Sequence, residues 1–285
     1  MDAVGPLETR ELVYFLTVAE ELHFGRAAQK LGIAQPPLSR AIQLLERRLG
    51  VALLERTSRK VALTRAGEVL VHEGVQALDQ LSAAARRAQR AGRSGPRLVL
   101  AMKPGGDAGL LPALLAAYER EPEAVEVEVI CSVGERAAMV RDGRADAALM
   151  YRPRDDFSGL ATEDLAVESQ VVVLAKDHRL AEHDSLRMAD LQGETTPQWP
   201  HLPDQDPSAP LAHDIGQLMQ LIALRQLVAV VPASVRAHLR QDLVCVPVTD
   251  AEPTTLTLAW PEHSRSRTLA AFVRAATQAA AQTAS

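Results

Sequence analysis

The chain has 285 residues, 47% of them hydrophobic, which is enough for two domains with buried cores and argues against a disordered protein. Its net charge of −5 is unevenly distributed: residues 1–92 carry 13 Lys and Arg against 10 Asp and Glu, whereas the rest of the chain has an excess of acids. No apolar run is long enough to cross a membrane and the first residues include acids, so we expect a cytoplasmic protein.

Three short helices and a hairpin are predicted first. Apolar residues recur at helical spacing over residues 7–22, a second helix covers 26–31, and a third begins at Pro36-Pro37 and ends before Gly50. Residues 51–63 have the pattern of two short strands around a turn. This order predicts a helix-turn-helix followed by a wing.

A long helix is predicted over residues 65–91, with Thr64 as its N-cap. Val71, Val75 and Leu78 form an apolar stripe at four-three spacing, which calls for a partner helix. The segment Arg93-Ser94-Gly95-Pro96 breaks the helix, so we place a domain boundary there.

Beyond Pro96, short strands alternate with helices, which predicts an α/β fold with largely parallel sheets. Strands are expected at residues 98–102, 125–131, 145–150, 171–175, 227–231, 244–248 and 256–260. Helices are expected at residues 108–121, 134–141, 188–191, 215–224, 233–239 and 268–282. The proline-rich residues 197–210 are expected to form a surface loop.

The third helix carries side chains suited to reading DNA. Its apolar stripe is expected to be buried, which leaves polar groups on the other face. The residues predicted to bind DNA from this helix are Gln35, Pro36, Pro37, Ser39, Arg40 and Gln43, with Arg47 beside them. The wing adds Arg56, Arg59 and Lys60 as predicted phosphate contacts. Taken alone, the same pattern is also that of an ordinary solvated helix with surface arginines.

A longer motif decides between these interpretations. The stretch HFGRAAQKLGIAQPPLSR at residues 23–40, continued by LLERRLG at 44–50 and LLER at 53–56, closely resembles the LysR-type transcriptional regulators. The match extends through Leu63-Thr64-Arg65-Ala66-Gly67, where that family begins its dimerising linker helix, and becomes one of pattern afterwards. Leu54 stands where phenylalanine is commoner in the family.

The resemblance implies a winged helix-turn-helix over residues 1–63 and a linker helix over 64–92. It further implies a two-lobed, periplasmic-binding-protein-like α/β effector domain, with lobe I at 93–155 and 251–285 and lobe II at 156–250. The implied function is promoter binding modulated by a small molecule held between the lobes. The implied partners are double-stranded DNA, a second chain in a dimer or tetramer, and RNA polymerase, without a membrane partner or a cofactor.

The best effector site on physical grounds lies where the first strand ends at Lys103. There, Gly105 and Gly106 precede a helix whose N-terminal N–H groups favour an anion, which makes the effector an anionic one. The alternative is a tight turn that needs glycine only for its backbone angles. Other predicted effector contacts follow later strands or lie in the loop opposite: Ser132, Val133, Arg152 and Trp199.

The ligand itself does not transfer from the family. The motif most resembles regulators of aromatic-compound catabolism that sense carboxylates such as muconate. Gly105 and Val133, however, align with the positions of their pocket hydroxyls, and Arg225-Gln226-Leu227 replaces a Gly-x-Gly turn of the family.

Two other functions compete with this one. An enzyme is not expected, because the sequence has neither a G-x-S-x-G nor an HExxH motif. Cys131 and Cys245 have no companions at metal-ligand spacing, so neither a metal site nor a disulfide framework is expected. A cysteine-based redox sensor of the same family remains the alternative, with oxidation of Cys131 as the signal.

Overall fold

The computed structural model of the chain describes residues 7–56, 60–92, 95–198 and 208–283. The chain divides into two compact units, Met1–Ala85 and Arg86–Ser285, each with buried apolar clusters of its own. None of the helices in these described ranges is long and apolar enough to cross a bilayer.

The first unit contains three helices, an antiparallel hairpin and the start of a long helix, in the predicted order. Their bounds are α1 Thr9–Glu21, α2 Phe24–Lys30, α3 Gln35–Leu49, β1 Leu54–Arg56, β2 Val61–Leu63 and α4 Arg65–Ala91. Phe15, Leu38, Ile42 and Leu45 are fully buried between the helices. The predicted stripe of α3 therefore forms the core of a winged helix-turn-helix.

Local chemistry explains where these helices begin and end. Pro36 and Pro37 occupy the first turn of α3, where their missing N–H groups cost no hydrogen bond, and Gly50 ends the helix at φ +71°. His23 caps α2 through Nδ1, which accepts a hydrogen bond from the Arg26 N–H at 3.2 Å. For this reason α2 begins at Phe24, two residues earlier than predicted.

The second unit contains a five-stranded sheet with the order β4-β3-β5-β10-β6. Its strands are β3 Arg97–Met102, β4 Glu126–Cys131, β5 Ala147–Arg152, β6 Leu160–Glu168 and β10 Thr254–Pro261. Helices α5 (Leu111–Tyr118) and α8 (Arg267–Thr283) pack on one face, and α6 (Arg136–Arg141) packs on the other. We call this assembly lobe I.

A three-stranded sheet forms the other part of the same unit, with the order β8-β7-β9. Its elements are β7 Gln170–Ala175, α7 Ile215–Ala223, β8 Ala229–Pro232 and β9 Leu243–Pro247, with 3-10 turns at Met188–Leu191 and Ala233–His238. Helix α7 covers one face of the sheet. We call this assembly lobe II.

The prediction of largely parallel sheets is wrong. Among the described strands the parallel pairs are β3–β4 and β3–β5, whereas β10 runs antiparallel to β5 and β6, and β7 runs antiparallel to β8 and β9. Parallel pairing requires a crossover of a dozen or more residues between the two strands. Strand β10 instead returns from lobe II and inserts between β5 and β6, which places antiparallel partners on both of its sides.

Strand β6 was not predicted, and it changes one lobe boundary. It is an edge strand that carries Glu163 and Asp164, so its apolar alternation is weak. Because β6 pairs with β10 in the five-stranded sheet, residues 156–168 lie in lobe I, and the chain crosses to lobe II at Ser169 rather than at 155. The return crossing lies between β9 and β10, at residues 248–253.

Candidate functional site

Helix α3 presents a polar face opposite its buried stripe. Gln35, Pro36, Pro37, Arg40 and Gln43 are exposed, and Ser39 is half-buried. Arg40 donates only its Nε–H to a helix carbonyl, at 3.4 Å from the Pro36 oxygen. The terminal guanidinium nitrogens of Arg40 have no partner among the described residues, so they are available for a base or a phosphate.

The wing differs from the prediction at Arg56. Its Nη2 donates to Oε2 of Glu46 at 2.7 Å, and its guanidinium lies 4.8 Å from the centroid of the Phe24 ring. Arg56 is therefore committed within the protein and is not a ready phosphate contact. Lys60 is exposed immediately before β2, and the predicted contact Arg59 lies outside the described residues.

A cavity of about 260 Å³ lies between lobe I and lobe II. The cavity opens at the carboxyl end of β3. Helix α5, which follows β3, covers one face of the sheet, and helix α6, which follows β4, covers the other face. Ligands of open α/β sheets bind at such a point, where the chain connections diverge to opposite faces. Lobe I contributes Lys103, Pro104, Gly105, Val133, Arg136, Tyr151, Arg154 and Asp155 to its lining. Lobe II contributes Ile215, Val231, Pro232, Ser234, Val235 and His238.

Lys103 supplies a cation to this mainly apolar space. Its Nζ lies 3.8 Å from the centroid of the Tyr151 ring, which is a cation–π contact. Burial, followed in effect by the nearby Arg136 guanidinium, lowers the pKa of Lys103 to about 8. No hydrogen-bond acceptor for Nζ is found among the described residues, so an anionic ligand would give this ammonium its missing partner.

The turn over residues 103–106 positions the Lys103 side chain, but its backbone N–H groups do not form the predicted anion-binding site. The Gly106 N–H donates to the Lys103 carbonyl at 3.0 Å, and helix α5 begins only at Leu111. The Leu111 N–H is directed to Oδ2 of Asp107 at 3.3 Å, so the helix start already has an acceptor. A Cβ on Gly106 would lie 2.2 Å from Cγ of Lys103, and Gly105 has φ +64°. Both glycines are thus explained by the turn, and the charge for an anion comes from Lys103.

A buried ion pair forms one wall of the cavity. Nη2 of Arg136 donates to both carboxylate oxygens of Asp155, at 2.7 and 2.8 Å, and Nη1 donates to the carbonyls of Ser132 and Val133. The Tyr151 N–H also donates to Asp155, at 2.7 Å. Because the two charges cancel and both Nη atoms of Arg136 are used internally, this pair stabilises the wall. Lys103 and the exposed Arg154 are then the cations of the lining without an ion pair among the described residues.

A second buried carboxylate connects the two lobes. Oε1 of Glu168 accepts from the Tyr151 hydroxyl at 3.0 Å, and Oε2 accepts from the Ser234 N–H at 3.0 Å. Burial, with the adjacent Glu168 charge, raises the pKa of Tyr151 well above its usual value. Glu168 is the last residue before the crossing at Ser169. The Tyr151 side chain, whose ring contacts the Lys103 ammonium, is therefore linked through Glu168 to the Ser234 N–H of lobe II.

The remaining predicted effector contacts lie elsewhere. Successive side chains of a strand alternate in direction, and Tyr151 takes the cavity side of β5. Arg152 instead lies over the Phe157 ring and pairs with Asp164 at 3.2 Å, so it does not line the cavity. Ser132 accepts the Glu135 N–H in the turn before α6. Trp199 lies outside the described residues, whereas Lys103, Gly105 and Val133 do line the cavity.

Several residues at the cavity were not predicted: Arg136, Tyr151 and Ser234 of its lining, and Glu168, which bonds to Tyr151 and Ser234. A weak signal existed for two of them. Arg136 opens an otherwise apolar helical turn, and Glu168 directly precedes the continuous apolar strand β7, where a charge needs a partner. Nothing in the sequence indicates that Arg136 on α6 and Glu168 at the end of β6 would lie near the same cavity.

The two cysteines lie in different sheets. Cys131 is exposed at the end of β4, and Cys245 is buried in β9. Burial raises the pKa of the Cys245 thiol, which lowers its thiolate fraction and its reactivity. Within the described part of the chain, no group of three or more His, Cys, Asp and Glu is placed to hold a metal ion. Because the two thiols lie in different sheets and Cys245 is buried, an oxidation signal would have to act at Cys131.

Comparison with known families covers both units. Residues 9–68 match the family model described as bacterial regulatory helix-turn-helix protein, lysR family, and residues 90–281 match the LysR substrate binding domain. The chain is 37% identical over 192 residues to the Hca operon transcriptional activator HcaR of Escherichia coli, an alignment that spans 66% of this chain and 63% of HcaR.

Two further similarities extend over more of the chain. It is 32% identical over 258 residues to a probable cat1 operon transcriptional activator of Acinetobacter lwoffii, spanning 83% of this chain and 84% of that protein. The crystal structure of full-length BenM aligns with a TM-score of 0.54 at 25% identity, covering 98% of each chain. With a helix-turn-helix unit, a two-lobed α/β unit and matches to both family models, the chain belongs to the LysR family of transcriptional regulators.

Proposed function

We propose that the chain is a DNA-binding transcription regulator whose affinity for promoter DNA changes when a small organic anion binds between lobe I and lobe II. The observation that carries the proposal is the position of Lys103. It is a largely buried ammonium without an acceptor among the described residues, and it faces a cavity lined by both lobes. An anion that enters the cavity would give this ammonium a charged acceptor.

The DNA-binding part of the proposal rests on helix α3. Its exposed Arg40 and Gln43 are suited to the base edges of the major groove, where Arg pairs with guanine and Gln with adenine. Lys60, and Arg59 by its position in the sequence, would neutralise phosphates beside them. HcaR and the Acinetobacter protein are named as operon activators, which supports an operon as the regulated target.

The cavity favours a compact monoanion with an apolar body. Lys103 is the uncommitted cation on the inside of the cavity, since Arg136 is neutralised by Asp155 and Arg154, the third cation of the lining, is exposed. Val133, Val231 and Val235 contribute apolar wall. A monocarboxylate with an aromatic or short aliphatic body satisfies both features, whereas the second charge of a dianion would meet only the exposed guanidinium of Arg154, where an ion pair contributes about 1 kcal/mol or less.

Binding would act on DNA through the lobes. A ligand that contacts both lobes favours whichever lobe arrangement gives it more contacts, and it shifts the population by its difference in affinity. The Tyr151–Glu168–Ser234 connection lies between Lys103, which would bind the anion, and the crossing at Ser169, where a change in the angle between the lobes would originate.

The proposed assembly is a homodimer formed through α4, with tetramers built from further contacts between effector lobes. Val75 is exposed on α4, and Val71 and Leu78 on the same stripe are half-buried, which supports a partner helix. We further propose that the protein acts in the cytoplasm without a cofactor and catalyses no reaction, and that RNA polymerase is a partner at the promoter.

The test is a thermal-shift measurement on the full chain with benzoate, phenylpropionate and cis,cis-muconate, each paired with its uncharged amide. A ligand that binds only the folded state stabilises it by about 2.7 kcal/mol at a hundred times its dissociation constant. We expect at least one carboxylate to raise the melting temperature, its amide to have little effect, and Lys103→Gln to abolish the shift.

Lys176→Gln is the matched control, because Lys176 is an exposed lysine just after β7 and does not line the cavity. If the rise in melting temperature persisted in Lys103→Gln, the ligand would bind at a site that does not include Lys103. The absence of any shift across the series, with DNA binding intact, would contradict the proposed monocarboxylate class.

A further inference from the structure

Glu46 occupies an unusual place on helix α3. It follows Gln43 of the exposed face by three residues and the buried Ile42 by four, so it lies at the border between the DNA-facing side and the core. Its Oε1 accepts the N–H groups of Leu53 and Leu54, at 2.9 and 3.1 Å. One carboxylate on α3 therefore holds the turn from which the wing starts.

The second oxygen of Glu46 holds the wing itself. Oε2 accepts from Arg56 at 2.7 Å, and only 16% of the Glu46 side-chain surface and 28% of the Arg56 side-chain surface remain exposed. The Phe24 ring lies under the same guanidinium, 4.8 Å from its carbon. Arg56 is thus fixed between α2 and α3, and its geometry is that of an internal brace.

The same turn also carries the start of α4. The Thr64 hydroxyl donates to the Ala52 carbonyl at 2.7 Å, and the Thr64 N–H donates to the Leu53 carbonyl at 3.0 Å. A Cβ on Gly67 would lie only 2.1 Å from the Leu53 oxygen, so the first turn of α4 packs directly on this backbone. Whatever fixes residues 52–54 relative to α3 also fixes the wing and the beginning of α4.

We propose that Glu46 is a positioning residue for DNA recognition, which sets the wing and the start of α4 relative to α3 and acts through Arg56 and the Leu53–Leu54 backbone. Arg56 serves this arrangement and makes no phosphate contact of its own. The inference concerns DNA binding alone and does not depend on any effector.

A positioning role for Glu46 and a purely long-range electrostatic role predict opposite changes in DNA affinity when its charge is removed. DNA is a polyanion, so removal of a carboxylate beside the DNA-facing helix should strengthen binding if the charge acts only at a distance. If Glu46 positions the wing, its neutral variant should bind DNA more weakly. The sign of the change therefore separates the two roles.

The experiment measures the affinity of the full chain for two short labelled duplexes over a salt series. One duplex is enriched from a random pool by repeated selection with the unmodified chain, and the other is an unselected duplex of equal length and composition. The variants are Glu46→Gln, Arg56→Gln, the double variant and Arg56→Lys. Glu55→Gln is the matched control, because Glu55 is an exposed carboxylate on the same strand as Arg56.

We expect Glu46→Gln and Arg56→Gln each to weaken binding to the selected duplex about 5- to 20-fold, which corresponds to about 1–2 kcal/mol at 1.4 kcal/mol per factor of ten. The double variant should be no weaker than the weaker single variant, because both remove the same contact. Arg56→Lys should recover part of the affinity, since it can keep the ion pair. Glu55→Gln should bind as tightly as the unmodified chain, or more tightly.

Two results would overturn the proposal. One is a Glu46→Gln variant that binds the selected duplex as well as the unmodified chain does. The other is an Arg56→Gln variant whose log–log salt slope is smaller in magnitude by about 0.9, the value for one lost phosphate contact, with losses that add in the double variant.

Unfolding of a variant would not mimic the expected result. A partly unfolded population loses affinity for both duplexes in the same proportion, whereas a misplaced wing costs more on the selected duplex. Phe24→Leu provides an independent route, because it removes the ring and leaves the Glu46–Arg56 pair in place. We expect a smaller loss in the same direction for Phe24→Leu, with an unchanged salt slope; an unchanged affinity would contradict the role of the Phe24 contact.

Discussion

The two units use charged side chains in opposite ways. On α3 the residues suited to DNA, such as Arg40 and Gln43, are exposed, and their neighbour Glu46 braces the wing from within. Around the cavity the charges are buried, and Arg136, Asp155 and Glu168 each make several internal hydrogen bonds. Exposed charges contribute little to stability but can meet a partner; buried charges must be paired in the protein itself.

Single substitutions in the two units should therefore change different properties of the protein. A change on the exposed face of α3 should alter DNA binding and leave stability nearly unchanged. A change among the buried charges of the cavity should alter stability first, because each removed partner leaves a buried group unsatisfied. The following predictions test that separation.

The largest effect is expected for Arg136→Leu. It leaves Asp155 buried with the Tyr151 N–H as its remaining described donor, and it should lower the free energy of unfolding by about 3–5 kcal/mol. Denaturant unfolding followed by circular dichroism measures the loss. Adding Asp155→Asn, which removes the unpaired charge but keeps an acceptor for Tyr151, should restore part of the stability.

The control for this prediction is Arg144→Leu. Arg144 pairs with Glu135 and Asp142 near the surface, where ion pairs contribute about 1 kcal/mol or less. If Arg136→Leu were no more destabilising than Arg144→Leu, the buried pair would not be a structural element of the cavity wall.

On the DNA-binding side, Arg40→Ala should reduce affinity for a selected duplex by about 1–3 kcal/mol for each lost bidentate contact, with little effect on an unselected one. Arg59→Ala, a predicted phosphate contact, should weaken both duplexes about equally. Fluorescence anisotropy with the two duplexes measures the difference. A uniform loss for both variants would show that Arg40 does not read base edges.

A smaller loss of stability than for Arg136→Leu is expected for Tyr151→Phe. The ring that carries Lys103 is kept, but one buried oxygen of Glu168 loses its donor, which should cost about 2 kcal/mol of stability and speed amide exchange at Ser234. Tyr118→Phe is the matched control, because the Tyr118 hydroxyl accepts the Val125 N–H away from the cavity. Equal exchange at Ser234 in the two variants would remove Glu168 as a link between the lobes.

The smallest effect is a pH dependence of anion binding. The pKa of Lys103 is lowered to about 8, so the ammonium is mostly charged at pH 7 and mostly neutral at pH 9. A bound anion stabilises the charged form, so binding takes up a proton. Affinity should therefore be nearly constant below the pKa and fall about tenfold per pH unit above it. Calorimetry with a carboxylate from the thermal-shift series measures the slope, and a flat profile to pH 9 would exclude Lys103 as the anion's partner.

The N-terminal architecture could be predicted from the sequence because its signals are local. The α3 stripe repeats within one helix, Pro36-Pro37 and Gly50 mark its ends, and the motif over residues 23–67 specifies the wing and the beginning of α4. The position of Lys103 at the end of a predicted strand was equally accessible, since it follows from the strand alone.

Only the tertiary structure decided which charges are free and which are used. The sequence marks Arg56 as a phosphate contact, but Glu46, ten residues away, holds it in the structure. Glu168 meets Tyr151 and Ser234 only because two separate strands and a 3-10 turn converge. The sheet pairing that brings β10 between β5 and β6 was likewise not accessible from strand patterns. The reason is physical: periodicity reports which face of an element is buried, whereas partners across elements depend on register and direction.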